Sequence, residues 1–266
     1  KDMKPKLLLC PGMARSGTTT LWKLLDDNNL INGMQHKETH YLKILCDMRD
    51  GNTDNIYPQE IKDSWRKSLV IENKDCLRLK LPYTFKDYKD YLYNNFKNKN
   101  QAVADFSQTI SILPPYFLKE INDNLLDDFD VRIIILFRDP IKRLFSHCVH
   151  LYKSGWFRTK DGWTNIIKPP RDLFLESIDR KQFQNLYVDV KNKFEEIFSN
   201  VIFFSTEKFY TTQTEHNRLS NFLDVPKIYL SNIYENRTEY EDNITTSDIE
   251  LASKKLTPSI EIHQQL

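Results

Sequence analysis

Arg15, Ser16, Gly17, Thr18, Thr19 and Thr20 stand side by side, and their donors suit an anion. The run before them, Leu7-Leu8-Leu9-Cys10, has the length of a buried strand. Pro11 to Gly17 reads as a turn, after which Leu21, Leu24 and Leu25 share one helical face. A strand that passes into a helix through a Gly-bounded loop gathers backbone N–H groups and a helix N-terminus around one point. The chain has only six glycines, and this loop uses Gly12 and Gly17. Three threonine hydroxyls and the forked guanidinium of Arg15 complete a phosphate cradle. Taken alone, the loop also reads as a Gly/Thr-rich turn without a ligand.

The type of phosphate follows from the one cation. Gly12 to Thr19 fits the nucleoside triphosphate loop G-x-x-x-x-G-K-[ST] except that Thr18 stands where its Lys should be. Arg15-Ser16-Gly17-Thr18-Thr19 instead resembles the [KR]-[SG]-G-T-[TR] loop of sulfotransferases that use 3′-phosphoadenosine-5′-phosphosulfate (PAPS). Arg at its first position looks like the tyrosylprotein sulfotransferases. The resemblance implies an α/β, P-loop-like three-layer fold with a central parallel sheet flanked by helices. It also implies PAPS as donor, adenosine 3′,5′-bisphosphate (PAP) as product, and no catalytic metal.

A second motif lies further on. In Ile133 to His147, IIILFRDPIKRLFSH, the residues Arg138, Asp139, Pro140, Arg143 and Ser146 are similar to R-[DN]-P-x-x-R-x-x-S, the 3′-phosphate motif of the same superfamily. An Arg leaving the carboxyl end of a strand stands where ligands bind in open α/β sheets. Ser146, two turns into the next helix, can add a hydroxyl to the same phosphate. A strand-ending turn with a surface ion pair is the plainer alternative, and Asp139 alone could mimic a Walker B carboxylate.

The acceptor side rests on His36-Lys37-Glu38-Thr39-His40-Tyr41, which resembles the K-E-x-H-[FY] segment of heparan sulfate and related carbohydrate sulfotransferases. The resemblance makes Glu38 the general base and has His40 orient it or the acceptor. A solvated loop is the alternative; a metal on His36 and His40 lacks a third ligand. Ala104-Asp105-Phe106-Ser107 sits where the family carries G-E-x-S-P, with Gln108 in place of Pro, and reads first as a strand end. Arg237, in Asn236-Arg237-Thr238, occupies the place of a basic loop that closes over the 3′-phosphate.

Around these motifs, apolar runs alternate with amphipathic stretches. Strands are expected at Leu7–Cys10, Leu30–Met34, Gln101–Ser107, Val131–Phe137 and Asn200–Ser205. Helices are expected after the loop to Leu25, at Ile61–Leu69, Phe85–Phe96, from Pro115 to about Leu126, and at Ile141–Tyr152, Arg171–Asp179, Gln184–Phe198, Glu215–Leu223 and Ser247–Leu256. Lys153 to Pro170 reads as an aromatic loop. Such alternation implies a parallel sheet with helices on both faces. With no internal repeat or linker, 1–266 reads as a single sulfotransferase domain.

Bulk properties are ordinary for a soluble chain: 266 residues, 40% hydrophobic and 28% charged. A net charge of +1 gives no pull toward nucleic acid. No apolar run approaches the roughly 20 residues of a membrane span. Cys10, Cys46, Cys76 and Cys148 form no C-x-x-C pair, and Cys10 and Cys148, in apolar or motif contexts, read as reduced thiols, as in a cytoplasmic protein. The expected partner is an acceptor, a glycan or small molecule. The K-E-x-H segment favours a sugar hydroxyl, whereas the R-S-G-T-T loop admits a protein tyrosine. Tyr83, Trp156, Phe157 and Trp163 could stack on either. A divergent nucleotide kinase and a non-catalytic nucleotide-binding protein are the readings of other classes.

Overall fold

The computed structural model describes residues 4–32, 37–50, 84–154, 156–159, 162–165, 168–229 and 244–266, without the side chains of Met48 and of residues 154–165. The expected helix at 61–69, Cys76, His36, Tyr83 and Arg237 lie outside the described residues, as do the side chains of Trp156, Phe157 and Trp163.

The sheet is built on β1 (Lys6–Leu9), which pairs in parallel with β2 (Val103–Asp105) on one side and β3 (Asp130–Phe137) on the other. Beyond β3 lies β6 (Val201–Ser205), giving the order β2-β1-β3-β6. Of the expected strand at 30–34, residues 33 and 34 lie outside the described residues; Ile31 forms one parallel bridge to Ala102, at the outer side of β2. The chain therefore reverses its direction of travel across the sheet between β1 and β3, at whose carboxyl ends a crevice opens.

Alternation along each strand feeds two layers of helices. Leu7, Leu9, Ile133, Ile135 and Phe137 pack against Tyr88 and Leu92 of α3 (Phe85–Asn95), Phe117 and Ile121 of α4 (Pro115–Leu125) and Phe194 of α8 (Leu186–Ile197). Leu8, Cys10, Ile134, Leu136 and Phe204 face the other way. They meet Leu21, Leu24 and Leu25 of α1 (Thr18–Asp27), Phe209 of α9 (Thr206–Phe209) and Leu219 of α10 (Gln213–Leu223). Both faces of the strands are buried, so their sequences are continuous apolar runs rather than alternating ones. The three-layer α/β fold with a central parallel sheet is as expected.

A third cluster joins α5 (Pro140–Ser154) to α6 (Pro170–Ile178) and α11 (Thr246–Lys255) through Leu144, Phe145, Cys148, Phe174 and Ala252. The remaining helices are α2 (Tyr41–Arg49), the single-turn α7 (Lys181–Gln184) and α12 (Thr257–Gln265).

Several segments differ from expectation, among them α2 (Tyr41–Arg49) and the short α9 (Thr206–Phe209), where no helix was expected. Between Lys153 and Pro170, expected as loop, β4 (Trp156–Thr159) and β5 (Gly162–Asn165) pair as an antiparallel ribbon. The Asp161-Gly162 dipeptide between two β-prone runs was the available signal. Helix α12, which contains Pro258, lies beyond the last expected helix at Ser247–Leu256. Pro258 falls in the first turn of α12, where its missing N–H costs nothing.

Candidate active site

The loop after β1 is held in a conformation that few sequences tolerate. Gly17 has φ 87° and Arg15 has φ 72°, the latter in a region that non-glycine residues rarely enter. A Cβ on Gly12 would lie 2.1 Å from Cγ2 of Thr18, so glycine is what lets the loop close on the helix start. The fold grips the loop from behind. Thr206 Oγ1 donates to the carbonyl of Ser16 at 2.9 Å, and Tyr210 Oη donates to that of Gly17 at 2.7 Å. Helix α1 begins without a side-chain cap or an acid in its first turn, which leaves its positive end for an anion.

Two of the loop hydroxyls take distinct duties. Ser16 Oγ is buried with no hydrogen-bond partner, an orphan that an anion's oxygen would satisfy. Thr20 bonds to Tyr210 and belongs to the support. The hydroxyls of Thr18 and Thr19 meet a residue considered below.

The second motif meets the first directly. Asp139 Oδ1 accepts the N–H of Lys142 at 2.9 Å and so starts α5, while Pro140 opens its first turn. The Asp139 carboxylate thus serves as a helix cap. From this turn Arg138 Nη1 donates to the carbonyl of Arg15 at 3.2 Å, and Arg15 Nε donates to Ser146 Oγ at 3.2 Å. Arg143 is buried, and its Nε has no hydrogen-bond partner. Among the described residues it has no carboxylate within ion-pair distance. A buried guanidinium without a counter-charge is costly, and an anion would repay that cost. The unpartnered Nε of Arg143, with Arg138 and Ser146 nearby, fits a second phosphate next to the first.

Behind the Arg138 turn stands a support the sequence did not announce. Glu207 Oε1 accepts the N–H of Asp139 at 3.1 Å, and its Oε2 lies 2.9 Å from His263 Nε2 on α12. Burial pushes the Glu207 carboxyl up, but the bonds from His263 and from backbone N–H groups outweigh it and hold it at about 2. Tyr187 Oη also donates to the carbonyl of Arg138.

The segment 37–40 runs along the end of β2. Phe106 N donates to the carbonyl of Lys37 at 2.9 Å, and His40 N donates to Ser107 Oγ at 2.7 Å. Asp105, fully buried, gathers the segment. Its carboxylate accepts from Thr39 Oγ1 at 2.6 Å, Tyr88 Oη at 2.9 Å and Ser107 N at 2.9 Å, and from Ser107 Oγ. Asp105 and Ser107 read in the sequence as a strand end; they also hold the acceptor-side segment.

His40 has φ 52°, a second strained non-glycine residue at this site. Its Nδ1 lies 2.9 Å from Thr109 Oγ1 and its Nε2 lies 3.2 Å from Glu38 Oε2. Glu38 Oε1 lies 3.0 Å from Lys37 Nζ, and Gln108 Nε2 donates to it at 3.4 Å. Burial raises the Glu38 carboxyl, yet the His40 hydrogen bond and the Lys37 charge prevail and leave it below the ordinary value of 4.5. Glu38 is therefore an anion at neutral pH, able to take a proton.

Lys37 is the residue sequence reasoning passed over. Its Nζ lies 2.8 Å from Thr19 Oγ1 and 3.3 Å from Thr18 Oγ1, besides its bond to Glu38. The K-E-x-H segment contains it but assigns it no role, since its contact with the loop is tertiary. Among the described residues no cluster of His, Cys, Asp and Glu could hold a metal ion, and no helix is long and apolar enough to cross a membrane.

Neither a protein-family model nor a curated protein matches the sequence. Solved structures do. The chain is similar to a sulfotransferase from Alicyclobacillus acidocaldarius, with TM-score 0.58, 15% identity, and 98% of this chain and 95% of that one covered. It is also similar to the sulfotransferase domain of the Synechococcus PCC 7002 olefin synthase, with TM-score 0.51, 14% identity, and 100% and 95% covered. The chain shares its fold with these sulfotransferases. At such identities the likeness is one of fold.

Proposed function

We propose that this chain is a PAPS-dependent sulfotransferase, one domain over 1–266, that moves a sulfuryl group to an acceptor hydroxyl or amine. The observation that carries the reading is the Arg15–Ser146 hydrogen bond. It sets two cationic anion sites side by side at the crevice between β1 and β3, with an ionised carboxylate on the adjoining segment. A donor with phosphates at both ends of its ribose matches that pairing. The sulfotransferase fold and the two motifs in order support it.

PAPS would supply the sulfuryl group and a phosphate as leaving group. Arg15, Ser16, Gly17, Thr18 and Thr19 would bind the sulfated phosphate through guanidinium, hydroxyls and the first N–H groups of α1. Arg138, Arg143 and Ser146 would bind the 3′-phosphate. Glu38 takes the acceptor proton as the acceptor oxygen bonds to sulfur, and Arg15 faces the electron pair left on the phosphate oxygen when its bond to sulfur breaks. His40 holds Glu38 in place. Positioning and charge stabilisation do the work.

The acceptor we favour is a carbohydrate hydroxyl, on the K-E-x-H segment; a protein tyrosine or a small molecule is the second reading, on the R-S-G-T-T loop. The buried thiols of Cys10, Cys46 and Cys148 suit a reducing, cytoplasmic setting. A nucleotide kinase draws one observation to its side, because Lys37 brings a lysine to the loop from outside it. The second cationic site tells against it.

Thermal unfolding with PAP, and separately with ATP and magnesium, decides between them. A ligand at about 100 times its Kd adds about 2.7 kcal/mol, a shift of several degrees for a chain of this size. A rise with PAP alone is expected. A rise with ATP and magnesium alone overturns the reading in favour of a kinase.

A further inference from the structure

We propose that Lys37 supplies the loop with a second cation beside Arg15: from outside the loop, its ammonium bears on the donor's 5′-phosphate while also touching the base. The inference rests on the donor reading above.

Its grounds are geometric. Position 18, where a P-loop would carry Lys, is Thr, and the hydroxyls of Thr18 and Thr19 are where the Lys37 ammonium goes, at 3.3 and 2.8 Å. The direction is fixed by the backbone, because Phe106 N holds the carbonyl of Lys37 at the end of β2. The ammonium is largely sheltered, with 19% of its side chain exposed. It stands between two anion positions: the start of α1 and, at 3.0 Å, Glu38. The ammonium's three donors meet Thr18, Thr19 and Glu38, so a phosphate oxygen can take one in place of a threonine hydroxyl while Glu38 keeps another. Lys37 would then share with Arg15 the charge that grows on the leaving phosphate oxygen, from the opposite flank of the loop.

The arrangement also makes Lys37 a discriminating contact. Arg138, Arg143 and Ser146 would face the other phosphate, whereas the ammonium of Lys37, among the described residues, hydrogen-bonds the loop and the base. Its loss should therefore be felt by a nucleotide with a 5′-phosphate and not by one without.

The test is calorimetric titration of wild type, Lys37→Met and Lys37→Arg with PAP and with adenosine 3′-monophosphate. Wild type should bind both, PAP more tightly. Lys37→Met should lose about tenfold or more in PAP affinity, the size of a charge-assisted hydrogen bond, and nothing with the 3′-monophosphate. Lys37→Arg should recover most of the loss. Unchanged PAP affinity in Lys37→Met, or equal losses for both nucleotides, overturns the role of Lys37 and leaves the donor reading standing. A wild type that binds neither nucleotide brings down the donor reading and this proposal together. Should Lys37→Met not fold by circular dichroism, Lys37→Gln takes its place in the same comparison.

Discussion

Arg15 Nε donates to Ser146 Oγ at 3.2 Å across 131 residues of sequence, so the loop after β1 and the helix after β3 share one hydrogen bond. A change at either end should be felt in both anion sites. Arg15→Ala removes a charged donor and should lower turnover about 10- to 100-fold, and PAP affinity with it. Ser146→Ala removes a neutral one and should cost only about 2- to 10-fold in PAP affinity. Calorimetry and steady-state rates on the two variants check the ordering; equal effects would contradict it.

Glu38→Gln keeps the shape of the base and removes its proton affinity. Turnover should fall by roughly 10²- to 10⁴-fold while PAP affinity stays unchanged. In wild type the acid limb of kcat/KM, which reports the free enzyme, should lie below pH 4.5, because the His40 bond and the Lys37 charge hold the carboxyl down. His40→Ala should move that limb upward. Rates measured from pH 4 to 8 read both effects.

Asp105 should matter for stability and activity together. Asp105→Asn puts an NH₂ among groups that all donate, and leaves at least one buried bond unmade. The cost should be about 1–3 kcal/mol, lowering Tm by several degrees, and 37–40 should lose its hold. Tyr88→Phe removes one contact from outside the segment and should destabilise less, with activity retained. Thermal unfolding and turnover of the pair separate these outcomes.

His147 gives the protein an acid-sensitive element. Burial, and the charges of Arg143, His150 and Arg15, push its imidazole down to about 3 from an ordinary 6.5. The folded state keeps it neutral, while the unfolded chain gains a proton below pH 6.5. Its contribution is therefore complete above pH 6.5 and is lost as pH falls toward 3. Urea unfolding at pH 7.5 and pH 5 should show this loss, and His147→Gln should reduce the difference between the two.

What the sequence made legible is what is local. Arg15 to Thr19 and Arg138 to Ser146 each lie on a single strand–turn–helix, where spacing alone dictates which groups share a point. The apolar runs of β1 and β3 announced burial on both faces, and hence the parallel sheet. The remainder is tertiary. Lys37 reaches Thr19 across 18 residues, Thr39 reaches Asp105 across 66 and Glu207 reaches His263 across 56. None of these leaves a periodic trace. Asp105 could be flagged only as a polar residue inside an apolar strand. Thr206 and Tyr210 carried no signal, being ordinary residues that happen to face the loop's carbonyls.

The support of the Arg138 turn has a consequence for how the site comes into being. The turn is steadied by Glu207, Glu207 by His263, and the loop by Thr206 and Tyr210. The donors proposed to hold the two phosphates are thus fixed by residues spread from position 15 to position 263. A chain emerging from the ribosome has both motifs long before it has their supports, and long loops must close before the last contacts form. Nucleotide affinity should therefore appear late and abruptly in synthesis, and chains ended before α12 should bind weakly despite carrying every motif residue.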